Sequence, residues 1–171
     1  KRYLSKNNSN YKRIEILLSL LPNALFLIPI REPLQHSYSL LTQHLHFSKL
    51  QKENDFIRKY MNYLGHHEFG INHISWEKPN TYNNYQDINY WLEQWVLFYE
   101  SIYKKYYNNS NCKFIIYEKL QERKFIDDLI DFVEVNFFND FKFKVSHKDL
   151  SLKYDENLYN YAKKTYLKFT N

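Results

Sequence analysis

The chain of 171 residues contains very little glycine and cysteine: Gly65, Gly70 and Cys112 are their only representatives. Two isolated glycines cannot form a glycine-rich phosphate loop, so residues 1–171 contain no loop of that kind. A single cysteine excludes an internal disulfide framework and fits a reducing compartment such as the cytoplasm. The longest apolar run, residues 24–30, has the length of a strand and is far below the ~20 residues of a membrane span. We therefore expect no membrane segment in this chain.

The chain is mildly basic, with 24 Lys and Arg against 19 Asp and Glu, a formal charge of +5. Proteins that bind nucleic acid usually cluster their basic residues along one face. Here basic and acidic residues are interspersed, as in residues 52–53 and 122–124, which favours a mixed, solvated surface. We expect no nucleic-acid partner, although an anionic ligand is compatible with the charge.

Hydrophobic periodicity predicts one α/β domain over residues 1–171. The chain begins at Lys1 in the middle of a pattern, so we expect it to be an N-terminally truncated part of a longer protein. Apolar side chains three and four residues apart mark the helices, and Trp91 and Trp95 in the strongest one are expected in the core. Helices are predicted over residues 11–21, 33–47, 55–64, 86–107, 125–138 and 156–169, and strands over residues 24–30 and 112–117.

Two of these segments carry further expectations. The strand over residues 24–30 lacks alternation, which predicts burial on both faces in a parallel sheet, although Pro29 indicates an edge or a strand end. Residues 65–85, which we call the irregular excursion, contain Pro, Asn and Gly and are too long for an ordinary connection. Such a length is typical of a functional loop or a lid.

Arg31 leaves the first strand just before Pro33 begins a helix, and Ser39 follows eight residues after Arg31. The carboxyl ends of strands in open α/β sheets bind ligands, and free N–H groups at a helix start favour a phosphate. The Arg31 guanidinium can hold two phosphate oxygens, and the Ser39 hydroxyl can add a donor. The alternative is a surface arginine at a strand end and a helix serine that faces solvent.

Together with residues 4–8 and 21–30, this pattern resembles the sulfotransferases that use 3′-phosphoadenosine 5′-phosphosulfate (PAPS). Their 3′-phosphate motif is an apolar strand, Arg-Asp/Asn-Pro, five residues and Ser, and Glu32 here replaces the Asp or Asn. Residues 113–120 resemble a second landmark, a strand ending in Tyr-Glu-Asp-Leu, with Lys119 in place of Asp. The resemblance covers residues 4–120. It implies a P-loop-NTPase-like parallel sheet flanked by helices, with a helix-rich C-terminal part.

The resemblance also implies an activity, the transfer of a sulfonate from PAPS to a hydroxyl or amine acceptor. Arg31 and Ser39 would hold the 3′-phosphate of the nucleotide, and Tyr117 would lie beside the adenine. Lys6 would be catalytic, close to the sulfonate in transfer, where it stabilises developing negative charge. The alternatives are a core tyrosine at a sheet end and a plain basic N-terminal strand.

Parts of the family pattern are absent. The loop for the 5′-phosphosulfate is expected upstream of Lys1. A histidine base that many members carry is Asn8 here, which cannot abstract a proton. His67 and Glu68 are candidates for the base or the acceptor side, and the alternative is a structural role at the helix end near Gly65. No metal is expected, because no Cys or second carboxylate falls at ligand spacing from the nearby histidines.

Two other functions remain open at this point. A P-loop kinase would share the sheet and the phosphate site, but it needs a Gly-Lys-Ser/Thr loop and an acid that holds Mg²⁺. A non-enzymatic interaction domain would use the aromatic helix over residues 86–107 as its partner face. The acceptor and the oligomeric state cannot be assigned from these residues.

Overall fold

The computed structural model describes residues 3–135 and 142–170, and it shows a helix-rich α/β arrangement around a small parallel sheet. The sheet consists of β1 (Phe26–Ile30) and β2 (Cys112–Ile116). Short 3-10 helices cover Asn8–Lys12 and Tyr117–Lys119. The α-helices of the described residues are α1 (Ile14–Leu20), α2 (Pro33–Glu53), α3 (Asp55–Tyr63), α4 (Ile88–Tyr106), α5 (Arg123–Val133) and α6 (Glu156–Thr170).

The predicted α/β class and the order of the predicted elements are confirmed. The largest difference in length is in α2, which continues to Glu53 rather than ending near Phe47. The helix predicted over residues 125–138 ends at Val133, where Glu134 turns into the left-handed region with φ 49°. Residues 136–138 of that prediction lie outside the described residues.

The two strands run parallel, with Phe26 opposite Cys112 and Ile30 opposite Ile116. Parallel neighbours need a crossover connection, and α2, α3, the irregular excursion and α4 supply it. Because the last residues of the two strands are paired, the residues that follow them leave the sheet side by side. This register decides which side chains meet at the carboxyl edge of the sheet.

The prediction that β1 is buried on both faces is wrong. Ile28 and Ile30 are buried, whereas Leu27 is 44% exposed and Pro29 is exposed as well. The inward face packs against α4 and α6, but no helix among residues 3–135 and 142–170 buries the Leu27 side. Pro29 is consistent with an edge strand, because it has no N–H to donate to a second neighbour.

Helix α4 forms the centre of the molecule, packed against α2 and α6. Trp91 and Trp95 are 0% and 1% exposed, so their predicted core position is confirmed. Phe98, Ile102 and Tyr106 continue the same face and are buried or half-buried. The aromatic face of this helix therefore does not present a partner surface, and that basis for an interaction domain is wrong.

Buried polar side chains of α4 hold the irregular excursion against the core. The Glu93 carboxylate accepts hydrogen bonds from the backbone N–H groups of Thr81 and Tyr82. The Gln94 amide pairs with both backbone groups of Glu77, at 3.1 and 2.8 Å. A segment without regular structure must satisfy its backbone groups in this way when it is packed against a core.

Candidate functional site

The carboxyl edge of the sheet brings together three residues singled out from the sequence. Arg31 and Tyr117 follow the paired strand ends, and the Arg31 guanidinium carbon lies 4.6 Å from the centre of the Tyr117 ring. Arg31 Nη1 donates a hydrogen bond to Ser39 Oγ on α2 at 3.3 Å. The spacing of eight residues between Arg31 and Ser39 thus places both at one point.

Two carboxylates lie beside this cluster, and each already has partners. Glu32 caps α2 by accepting from the Gln35 N–H at 2.8 Å, and it also accepts from Tyr159 Oη at 2.9 Å. Glu118 accepts from the Glu32 N–H at 2.9 Å and from Tyr166 Oη at 2.7 Å. Glu32 therefore fills the helix-capping role, and both acids tie α6 to the strand ends.

The expectation of free N–H groups at the start of α2 needs correction. Pro33 has no N–H, the Gln35 N–H donates to Glu32, and the His36 N–H donates to the Glu32 carbonyl. The Glu32 carboxylate also offsets the positive end of the helix dipole. Attraction for an anion at this edge must therefore come mainly from charged side chains such as Arg31 rather than from the start of α2.

Arg31 carries a charge that no carboxylate neutralises within the described part of the chain. It forms no ion pair there, because Glu32 and Glu118 are directed toward other donors. Its Nε is shielded from solvent and has no hydrogen-bond partner among the described residues. A partly buried guanidinium with an unused N–H is a suitable partner for an anion, since burying an unpaired charge is costly.

Residues 142–149, which have no regular secondary structure, lie across Arg31, and we call them the cover segment. Arg31 Nη2 donates to the Ser146 carbonyl at 2.6 Å. Tyr117 Oη donates to the Lys144 carbonyl at 3.2 Å and accepts from the Ser146 N–H at 3.1 Å. Gln35 pairs with both backbone groups of Lys148, at 2.9 and 2.8 Å.

The motifs in the sequence did not indicate the cover segment or Gln35 as parts of the site. A signal was present, since Phe143 and Val145 alternate with Lys142, Lys144 and Ser146, as in a strand with one buried face. The apolar pair is half-buried and the polar residues are exposed. The pattern is too short to show which part of the molecule the segment would cover.

The positive charge of Arg31 contributes to the pKa shifts of two neighbouring groups. Hydrogen bonds from Ser146, with help from Arg31, hold the pKa of Tyr117 below its ordinary value. Burial, together with the positive charge of Arg31, lowers the pKa of His36 to about 4. His36 is therefore a neutral imidazole at pH 7, and it adds no charge to the site.

The structure does not bring Lys6 into this cluster. Lys6 is exposed and precedes the 3-10 helix that begins at Asn8. No polar contact among the described residues joins it to Arg31, Ser39 or Tyr117. Its catalytic role stays a prediction.

His67 and Glu68 lie away from Arg31, near the middle and far end of α2. Gly70 N–H donates to His44 on α2 at 3.3 Å, and His44 is about 16 Å along the helix axis from Pro33, at 1.5 Å per residue. Glu68 faces His66, with 3.5 Å between Oε2 and Nδ1. His67 and Glu68 therefore do not belong to the cluster around Arg31.

The proposed side-chain closure of the helix end near Gly65 also needs correction, because the backbone closes it. Gly65 has φ +69°, its N–H donates to the Asn62 carbonyl, and the His66 N–H donates to the Met61 carbonyl. This pair of bonds is a Schellman motif, which ends a helix without any side chain. His66 and Glu68 are not needed for that purpose.

A second polar cluster lies in the core between α2, α4 and the irregular excursion. His44 and His73 are buried, with ring centres 5.4 Å apart, and His73 Nε2 shares a 2.7 Å hydrogen bond with Tyr90 Oη. Burial is the main cause that lowers both pKa values, that of His44 to about 4. Within the described ranges no three His, Cys, Asp or Glu side chains are grouped to hold a metal ion.

Comparison of the chain with protein-family models, with curated proteins and with solved structures finds no match. Among residues 3–135 and 142–170, no helix combines the length and apolarity that crossing a membrane requires.

Proposed function

We propose that the carboxyl edge of this sheet binds the 3′-phosphate of PAPS and that the protein is a PAPS-dependent sulfotransferase. The convergence of Arg31, Ser39 and Tyr117 is the observation that carries the proposal. The fold proposed with it is a P-loop-NTPase-like sheet, of which β1 and β2 are two adjacent parallel strands.

The residues present fit an anionic nucleotide. Arg31 has no carboxylate partner among the described residues, and its terminal nitrogens contact only neutral oxygens there, which phosphate oxygens can replace. Ser39 Oγ, 3.3 Å from Arg31 Nη1, can turn its hydroxyl toward the same anion. The Tyr117 ring supports the guanidinium from one side and offers an edge for adenine.

In the proposed reaction the acceptor oxygen or nitrogen forms a bond to sulfur as the bond from sulfur to the bridging phosphate oxygen breaks. The acceptor proton passes to a base, and adenosine 3′,5′-bisphosphate leaves. Lys6 is proposed to stabilise the charge that develops on the oxygens. His67 and Glu68 are proposed for the acceptor side, since they lie apart from the Arg31 cluster.

Calorimetry with adenosine 3′,5′-bisphosphate tests the nucleotide site. We expect the full-length protein to bind this nucleotide and Arg31→Ala to weaken binding about 30- to 150-fold, or roughly 2–3 kcal/mol. Arg123→Ala is the matched control, because Arg123 is exposed and pairs only with Asp127 on the same helix among the described residues. Equal affinities for the wild type and Arg31→Ala would remove Arg31 from the site.

A further inference from the structure

The cover segment is held at the proposed nucleotide site by its own backbone. Three side chains of the site, those of Arg31, Gln35 and Tyr117, contact the backbone groups of Lys144, Ser146 and Lys148. Backbone contacts of this kind do not depend on which side chains the segment carries. The segment is therefore fixed to the site at three alternate residues, Lys144, Ser146 and Lys148.

The contact with Arg31 is the critical one. The Ser146 carbonyl lies 2.6 Å from Arg31 Nη2, closer than the other oxygens that the two terminal nitrogens contact. Arg31 Nη2 also lies 3.4 Å from Gln35 Oε1, and Nη1 lies 3.3 Å from Ser39 Oγ. The terminal nitrogens that would hold a phosphate are thus occupied by neutral oxygens of the chain itself.

We propose that the cover segment is a self-blocking contact, in which the Ser146 carbonyl takes the place of a phosphate oxygen on Arg31. This inference rests on the proposed function of the Arg31 site. The nucleotide binds only after the Ser146 carbonyl has left Arg31. The apparent affinity is then the intrinsic affinity reduced by the fraction of molecules in which the cover segment is open.

Tyr117 holds the cover segment in its closed position. Its hydroxyl holds the cover segment at two points, the Lys144 carbonyl and the Ser146 N–H, whereas its ring supports Arg31. Tyr117→Phe removes the two hydrogen bonds and keeps the ring. If Tyr117 only contacted the nucleotide, this change would weaken nucleotide binding. If Tyr117 holds the cover segment closed, the change strengthens nucleotide binding.

The experiment measures binding of adenosine 3′,5′-bisphosphate to the full-length wild type, to Tyr117→Phe and to Tyr161→Phe. Tyr161 is the matched control, because its hydroxyl also makes a hydrogen bond, to Glu100, but on the exposed side of α6. We expect Tyr117→Phe to bind on the order of tenfold more tightly, since two neutral hydrogen bonds no longer favour the closed form. Tyr161→Phe should bind as the wild type does.

Equal or weaker binding by Tyr117→Phe, with normal binding by the wild type, overturns the self-blocking contact and leaves the proposed function standing. Absence of binding in all three proteins overturns both. A second readout on the wild type uses an endoproteinase specific for lysine, which can cleave after the exposed Lys144 and Lys148. We expect the nucleotide to accelerate these cleavages several-fold, and protection of both sites would contradict the proposal.

Discussion

The Arg31 guanidinium lies over the Tyr117 ring, with 4.6 Å between its carbon and the ring centre. The two residues are 86 positions apart in the chain, counted from 31 to 117. They meet because Ile30 and Ile116 are paired at the ends of parallel strands. A one-residue shift of that register would turn one of the two side chains to the other face of the sheet and would abolish the contact.

Removal of the Ser39 hydroxyl is expected to change nucleotide discrimination. Within the nucleotide, the hydroxyl is proposed to contact only the 3′-phosphate. Ser39→Ala should therefore weaken the binding of adenosine 3′,5′-bisphosphate by about 1.5–3 kcal/mol and the binding of 5′-AMP far less. Calorimetry with both nucleotides measures the difference. Thr42→Ala is the control, because among the described residues Thr42 Oγ1 donates only to the Tyr38 carbonyl one turn earlier in α2. Equal losses for both nucleotides would assign Ser39 to packing.

Lys6 is expected to act on the rate of transfer more than on nucleotide binding. If it stabilises charge that develops as the sulfonate leaves, Lys6→Ala should lower kcat about 10²–10³-fold with little change in the nucleotide KM. Lys6→Arg should restore part of the rate, since its planar fork places the charge differently. The measurement is a sulfonate-transfer assay on full-length protein. Lys12→Ala, another lysine of the same N-terminal region, is the control.

Buried neutral histidines are expected to make folding sensitive to acid. The pKa values of His36 and His44 are lowered from 6.5 to about 4 in the folded protein, mainly by burial. Their full contribution to the free energy of unfolding is therefore present above pH 6.5. It declines as pH falls toward 4, because the unfolded chain binds protons at a higher pH than the folded protein does. Each of the two histidines lowers the free energy of unfolding by at most about 3 kcal/mol between pH 6.5 and pH 4, at about 1.36 kcal/mol per pKa unit.

Urea denaturation at pH 7, 6 and 5, followed by circular dichroism, measures this decline. His44→Gln should flatten the dependence, because the glutamine amide can accept from the Gly70 N–H without binding a proton. His46→Gln is the matched control, on the exposed side of the same helix. If His44→Gln kept the wild-type slope between pH 7 and 5, the decline would have another source.

The hydrogen bond from Tyr166 to Glu118 is expected to stabilise the strand-end acids. Tyr166 Oη donates to Glu118 Oε2 at 2.7 Å in a part-buried position. Tyr166→Phe should lower the free energy of unfolding by about 1.5–3 kcal/mol, since a shielded carboxylate loses a donor. Tyr161→Phe, whose hydroxyl bonds Glu100 at an exposed position, should change it by less than about 0.5 kcal/mol. Urea denaturation compares the two variants.

Residues close together in the sequence determined much of this protein by themselves. The spacing of Ile14, Leu17 and Leu18 shows one face of a helix, and Pro33 marks the start of α2. Arg31 and Ser39 could be paired from the sequence because both belong to one strand-to-helix unit, in which eight residues fix their relative position. Local geometry of this kind follows from helix pitch and the length of the chain between two residues.

Contacts between distant residues were decided by the tertiary structure alone. The exposure of Leu27 depends on which helices cover the sheet, and an apolar run does not encode its neighbours. The cover segment reaches Arg31 across 115 positions, from residue 146 to residue 31, and it is held through backbone groups that every sequence possesses. Side-chain patterns cannot identify a partner that is recognised by its backbone, and for that reason the contact between Ser146 and Arg31 is visible only in the folded chain.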